Sequence, residues 1–321
     1  RDMFAIRPGS PEWINQRDRF LKGWHDRLTV SSTSQRQQPA VLPAQMSEFA
    51  NEPNTDWSRS EHRQALQSAM TSWAPGILPT LPELDGMLQS AKEAQPGWEA
   101  LGTAGRAAII NQAAEVMAAD RFGTLACLGA DGKKAVYDAD GEVSEAIDFA
   151  RYYARTANVP DGLNAAALGV VAVVSPWNFP YAIPAGGVLA ALMAGNSVIL
   201  KPAPSTVQTS WWLVNQLWKA GIPRDVLHFY PCDNSIGQAL IQDPRIACVI
   251  LTGSFETAQK FQTWRPTLPL FAETSGKNAL VITAQADREL AIKDLVRSAF
   301  GHSGQKCSAA SLAILEAEVY D

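Results

Sequence analysis

The chain has 321 residues, 46% hydrophobic and 18% charged, with a formal net charge of -5. That length accommodates about two domains and that balance buries a sizeable core, as in a soluble α/β protein. The acidic balance excludes an overall basic footprint for nucleic acid, and no apolar run approaches the roughly 20 residues that span a bilayer. Cys127, Cys232, Cys248 and Cys307 lie far apart without CxxC spacing, and His25, His62, His228 and His302 do not pair with them. Neither a zinc site nor a disulfide framework is indicated, and no other metal is expected. Residues 1–10 lack a signal-peptide core, so a reducing, cytoplasmic setting is expected.

In chain order, a polar leader of unknown role occupies residues 1–45, with a serine- and glutamine-rich linker from Ser31 to Pro39. Helical patterns follow over Arg59 to Trp73, Leu81 to Glu93, Thr103 to Ala118 and Glu142 to Ala157, with apolar residues three and four apart. From Gly169 the rhythm changes. Strand-like runs Val170 to Val174, Ser197 to Leu200, Val226 to Tyr230, Ala247 to Leu251 and Leu268 to Ala272 alternate with helix-like segments. This alternation is the signature of a parallel sheet with crossover helices, a Rossmann-type dinucleotide-binding architecture. Residues 46–278 are read as that domain, with a short hairpin-like excursion at 155–168. Residues 279–321 begin a second α/β domain, comprising a strand Ala279 to Ile282, a helix Asp287 to Phe300, a cysteine loop and a strand-like Ser311 to Val319.

Three segments carry chemistry. Cys307 sits among small residues in Gly304-Gln305-Lys306-Cys307-Ser308. A thiol attacks carbonyl carbon only as thiolate, so it needs exposure and nearby donors or positive charge; otherwise it packs as a small buried hydrophobe. A lone carboxylate, Glu273, stands in Glu273-Thr274-Ser275-Gly276-Lys277-Asn278, suited to activating water or simply to the surface after a strand. The valine-rich run from Val170 ends in Ser175-Pro176-Trp177-Asn178-Phe179-Pro180, where two prolines restrict the backbone around Asn178. A fixed amide is what stabilising an oxyanion requires, although the loop also reads as a proline-rich turn. No GxGxxG occurs. Its place would be taken by the start of a helix at Gly253-Ser254, after a strand ending at Leu251, where backbone N–H groups can meet a pyrophosphate or a serine can merely cap.

Together these segments resemble the aldehyde dehydrogenase superfamily, whose members share the SPWNFP loop, a Lys-Pro segment one helix later, a TGS turn, the glutamate segment and the GQxC cysteine, in that order. Here they are Ser175 to Pro180, Lys201-Pro202-Ala203, Thr252-Gly253-Ser254, Glu273 and Gln305 to Cys307. The resemblance covers roughly Phe49 to Asp321. It sharpens toward 1-pyrroline-5-carboxylate (glutamate semialdehyde) dehydrogenases, stand-alone or within bifunctional proline-utilisation proteins, at Phe49 to Asp56, Glu142 to Ala154 and Phe300 to Ala309.

The resemblance implies NAD(P)-dependent oxidation of glutamate γ-semialdehyde to glutamate. Cys307 would be nucleophile, Glu273 general base and Asn178 oxyanion donor. Ser175, Pro176, Trp177, Lys201, Pro202, Ala203, Gly253 and Ser254 would contact the NAD cofactor. Glu145, Phe179 and Ser308 would meet the substrate. Pro204 stands where many NAD-preferring members carry an acid, so NADP is not excluded. The resemblance also implies a homo-oligomer, and it extends to bifunctional proteins in which a proline dehydrogenase domain is fused to this one. The chain lacks an initiating methionine and stops just after the expected nucleophile, before the family's remaining cofactor, carboxylate-binding and oligomerisation segments. It is therefore expected to be part of a longer polypeptide, inactive by itself. An aldehyde dehydrogenase of other range, a nicotinamide-independent thiol hydrolase and a non-catalytic fragment remain as alternatives.

Overall fold

The computed structural model describes residues 7–27, 29, 49–156 and 166–320. The linker Ser31 to Pro39 and most of the 155–168 excursion lie outside the described residues. The chain divides into two compact units, Arg1–Ala50 and Asn51–Asp321.

The first unit contains a helix that its polar composition concealed, α1, Pro11–Asp26. Its start is well specified. Ser10 accepts from the Trp13 N–H at 3.2 Å and Pro11 occupies the first turn, where its missing donor costs nothing. Trp13, Ile14, Phe20, Leu21 and Trp24 are all exposed.

In the second unit, α2 (Ser60–Ser72), α3 (Leu84–Glu99), α4 (Gly102–Ala119), α5 (Arg121–Ala130) and α6 (Val136–Thr156) precede the sheet. Among them α5 has no counterpart in the sequence reading, and α6 begins six residues before the expected Glu142. The strands β1 (Val170–Val174), β2 (Ser197–Lys201), β3 (Leu227–Phe229), β4 (Ile246–Gly253) and β5 (Leu270–Thr274) form a parallel sheet in the order β3-β2-β1-β4-β5. Its crossovers carry α7 (Ala182–Met193), α8 (Val207–Lys219), α9 (Asn234–Gln242) and α10 (Phe255–Trp264).

The central strands are apolar throughout because both faces are covered. Val171, Val173, Val198 and Leu200 belong to one core with α4, α6, α7 and α8, while Val170, Ala172 and Ile199 belong to another with residues of α3, α9 and α10. Each such burial removes an aliphatic side chain from water, worth about 1.5–3 kcal/mol. Helix α7 packs tightly on both sides. A Cβ on Gly187 would lie 2.9 Å from Val173 Cγ1 of β1, and one on Gly186 would press the Phe149 ring of α6 at 3.1 Å.

The last expected strand is shorter than the sequence reading. After α11 (Arg288–Phe300), β7 spans Ala310–Leu315 and the chain then turns through a 3-10 segment, Ala317–Val319. With β6 (Asn278–Ile282), β7 makes a separate two-stranded parallel sheet. Only Ser275, Gly276 and Lys277 separate β5 from β6. Among the described residues, no helix is long and apolar enough to cross a membrane.

Candidate functional site

The chain runs β1, β2, β3 outward in one direction and then returns to place β4 on the other side of β1. In such sheets the crevice beyond the strands' carboxyl ends, at this reversal, is the natural ligand site. A cavity of about 990 Å³ lies there, lined by residues that follow β1, β2, β4 and β5. All eight expected cofactor residues line it: Ser175, Pro176, Trp177, Lys201, Pro202, Ala203, Gly253 and Ser254. So do Asn178, Phe179, Glu273 and Cys307, whereas Glu145 and Ser308 are not among its lining residues.

One detail of the helix start differs from expectation. Strand β4 continues to Gly253, held in register with Thr274 of β5, so Gly253 ends the strand and only Ser254 caps α10. The Ser254 hydroxyl already accepts from the Thr257 N–H at 3.2 Å and the Phe255 N–H donates to Ser275 Oγ at 3.4 Å, so what the helix start offers the crevice is chiefly its positive end. Lys201 ends β2 and lies across α9, where a Cβ on Gly237 would come within 2.9 Å of its Cε. Gly237 thus gives the lysine stem its path, a role that an isolated helical glycine does not announce. In the same cavity, Ser175 is 6% exposed and its hydroxyl has no hydrogen-bond partner. A lysine, a helix N-terminus and an unsatisfied hydroxyl along one groove fit a dinucleotide.

At the mouth of the crevice the loop after β1 meets the cysteine loop. The Asn178 side-chain amide donates to the Gln305 carbonyl at 2.6 Å, two residues before Cys307. A carboxamide has two N–H donors, so this bond orients the group and leaves the other proton for a ligand oxygen. The cysteine loop is strained: His302, Ser303 and Gly304 all have left-handed backbone, with φ of 54°, 55° and 70°. Two successive non-glycine residues in that region mark a conformation imposed by surroundings. Here the surroundings include Asn178, whose carbonyl lies 3.3 Å from His302 Nε2, and Phe179, which stacks on His302 with centroids 5.1 Å apart. On its other side the loop is tied to Asn278, which donates to the Cys307 carbonyl at 2.6 Å and to that of Ala309 at 3.1 Å. Cys307 is exposed, and Glu273, on the edge strand β5, is exposed as well.

Glu145 projects from α6. Loss of hydration, then the nearby Glu142 carboxylate, raise its pKa above the ordinary carboxylate value, with Lys134 and Lys306 pulling the other way. An acid whose pKa is raised by folding holds its proton longer when folded, so stability falls as pH rises from the unfolded pKa through the folded one. Glu145→Gln should therefore melt higher than the parent at about pH 7, with the difference closing toward about pH 4. Melting curves that coincide across that range would refute this.

Two charged residues that sequence reasoning did not single out stand directly behind the site. Lys134 and Glu142 form a buried ion pair, and Lys134 Nζ also donates to the Asn178 carbonyl at 3.1 Å. They are eight positions apart across the boundary between a loop and α6, a spacing with no signal of its own.

The sequence profile of the aldehyde dehydrogenase family matches residues 79–321. A curated relative from Geobacillus thermodenitrificans (strain NG80-2), named 1-pyrroline-5-carboxylate dehydrogenase, is 38% identical over 256 residues, covering 73% of this chain and 50% of the relative. The chain thus spans about half the length of the curated relatives it matches. Among solved structures, 1-pyrroline-5-carboxylate dehydrogenase from Thermus with bound NAD superposes with a TM-score of 0.78 at 28% identity, over 85% of this chain and 64% of that one. Proline utilization A from Corynebacterium freiburgense gives a TM-score of 0.78 at 36% identity, over 96% of this chain and 31% of that one. The sequence match includes every strand and both loops that build the crevice, and on that ground the chain belongs to the aldehyde dehydrogenase family.

Proposed function

We propose that this chain supplies the dinucleotide-binding and nucleophile-bearing part of an NAD(P)-dependent dehydrogenase that oxidises L-glutamate γ-semialdehyde to L-glutamate in proline catabolism. The observation that carries the reading is a single cavity lined by Cys307, Glu273 and Asn178 together with the strand-end groups suited to a dinucleotide. Residues 46–278 are its nucleotide domain and 279–321 the start of its catalytic domain, the whole acting as a homo-oligomer beside a fused or separate proline dehydrogenase.

In this reading Cys307 attacks the aldehyde carbon as thiolate and holds it first as thiohemiacetal and then as thioester. The Asn178 amide and the Cys307 backbone N–H stabilise the developing oxyanion, worth roughly 3–4 kcal/mol per donor. A bound nicotinamide contributes hydride acceptance. Glu273 deprotonates the water that releases the acid and returns the thiol. Glu145 faces the substrate amino group, with Phe179 and Ser308 beside the carbon chain. At the adenosine end Lys201 donates to the ribose, while Pro204 begins a 3-10 turn and offers no acceptor to reject a 2′-phosphate.

The test is nicotinamide reduction by this chain, or by a longer polypeptide that contains it, with glutamate semialdehyde and propanal as competing substrates and with NAD and NADP each titrated. Glutamate semialdehyde should win on kcat/KM. A preference for propanal would remove the substrate assignment, and ester turnover without any dinucleotide binding would replace the dehydrogenase by a thiol hydrolase.

A further inference from the structure

We infer that Lys134 is a positioning residue for the loop bearing Asn178 and Phe179, and that Glu142 holds Lys134 in that role. The inference rests on the reading above for its consequence in turnover, but not for its geometry. The Lys134 side chain is 2% exposed and that of Glu142 is 0% exposed. Burying two ions so completely is costly, and an apolar pair of the same volume would pack at least as well. The ionic pair therefore calls for something that hydrocarbon cannot provide, and its contacts show what. Lys134 Nζ donates to the Asn178 carbonyl at 3.1 Å and lies 4.0 Å from the Phe179 ring centroid. One Glu142 oxygen takes the ammonium, and the other accepts from the Tyr181 N–H at 2.8 Å and the Ala182 N–H at 3.1 Å, where α7 begins.

A single buried pair thus grips the loop and the start of α7 at four points between residues 178 and 182, one carbonyl, one ring and two amides. Charge-assisted bonds of this kind are directional, so they fix the loop's orientation as well as its proximity. Because the Asn178 carbonyl is anchored from behind, its side-chain amide is held toward the cysteine loop, where it meets the Gln305 carbonyl. Neither Cys307 nor Glu273 is among the groups Lys134 binds; it acts through the backbone of Asn178 and the ring of Phe179.

The test compares the parent chain with Lys134→Met combined with Glu142→Gln, an uncharged pair of similar size that keeps an acceptor for Tyr181 and Ala182. Amide hydrogen exchange, resolved by mass spectrometry, should quicken about 10-fold or more in the peptide spanning 176–182 while peptides of β2 are unchanged. In a polypeptide that turns over, kcat should fall by at least about 10-fold with the KM for the dinucleotide unmoved. Equal loop exchange in the folded double variant overturns the inference. In the parent, acetylation of Lys134 should lag that of exposed Lys133 by about 100-fold, and equal rates would also overturn the inference. Failure of the parent to reduce nicotinamide would remove the proposed function while leaving the exchange result to decide this one.

Discussion

Cys307→Ala is expected to abolish nicotinamide reduction, by about four orders of magnitude or more, and to leave dinucleotide affinity within about twofold of the parent. The size of the effect follows from the absence of a substitute nucleophile. Cys127, Cys232 and Cys248 are buried. Burial pushes the Cys127 thiol up to about 12, with smaller opposing and reinforcing contributions from Thr209 and Asp131. It raises those of Cys232 and Cys248 as well. A thiol held protonated and out of solvent neither attacks carbonyl carbon nor alkylates at an appreciable rate. Iodoacetamide at mildly alkaline pH should therefore label the folded chain at close to one site, and the Cys307→Ala protein hardly at all. Labelling that persists in the variant, or turnover that survives, would move the nucleophile elsewhere.

Arg121→Met is expected to be the most damaging of the simple stability variants, costing about 3–5 kcal/mol. The guanidinium of Arg121, 8% exposed, donates to Asp140 Oδ1 at 2.8 Å, Ser144 Oγ at 3.0 Å, Glu52 Oε1 at 3.0 Å and the Pro53 carbonyl at 3.2 Å. It thereby fastens the segment before α2 to α5 and α6. Asp140, 2% exposed, also accepts from the N–H and the hydroxyl of Thr55, both at 2.7 Å. Removing the cation leaves that carboxylate enclosed with neutral donors alone. Urea unfolding reads the loss as a lowered midpoint at unchanged slope. Arg17→Met, which breaks an exposed pair with Asp18 at 2.8 Å, is the matched control and should change stability by less than about 0.5 kcal/mol. A similar midpoint shift in both would mean that burial is not what sets the cost.

The sheet was legible because its strands are uninterrupted apolar runs bounded by turns, a pattern that only two-sided burial explains. Its parallel pairing followed from alternation with helices, while the strand order β3-β2-β1-β4-β5 became visible only in the fold. Helix α5 was not legible: Gly123 and Gly129 depress its intrinsic propensity, and it forms because Leu125, Ala126, Cys127 and Leu128 find a core to fill. In α1 Arg17 interrupts the apolar stripe, and the surrounding polarity hid the helix within a leader that offered no role. The residues lining the crevice could be named in advance because they occur in contiguous motifs. The groups that orient them could not, since Gln305 is 127 positions from Asn178 and Glu142 is 39 from Tyr181. Such pairings exist only once the chain has folded.

The three-residue connection between β5 and β6 acts as a joint. Glu273 stands immediately before it, on the edge of the large sheet, while Asn278 immediately after it carries the cysteine loop through two hydrogen bonds. The separation between the Glu273 carboxylate and the Cys307 sulfur thus depends on this short connection, in which Gly276 has open space around it apart from the Asn278 side chain. That dependence makes the spacing of those two groups vulnerable to any inserted residue between Thr274 and Asn278, far more than to substitutions within the strands themselves.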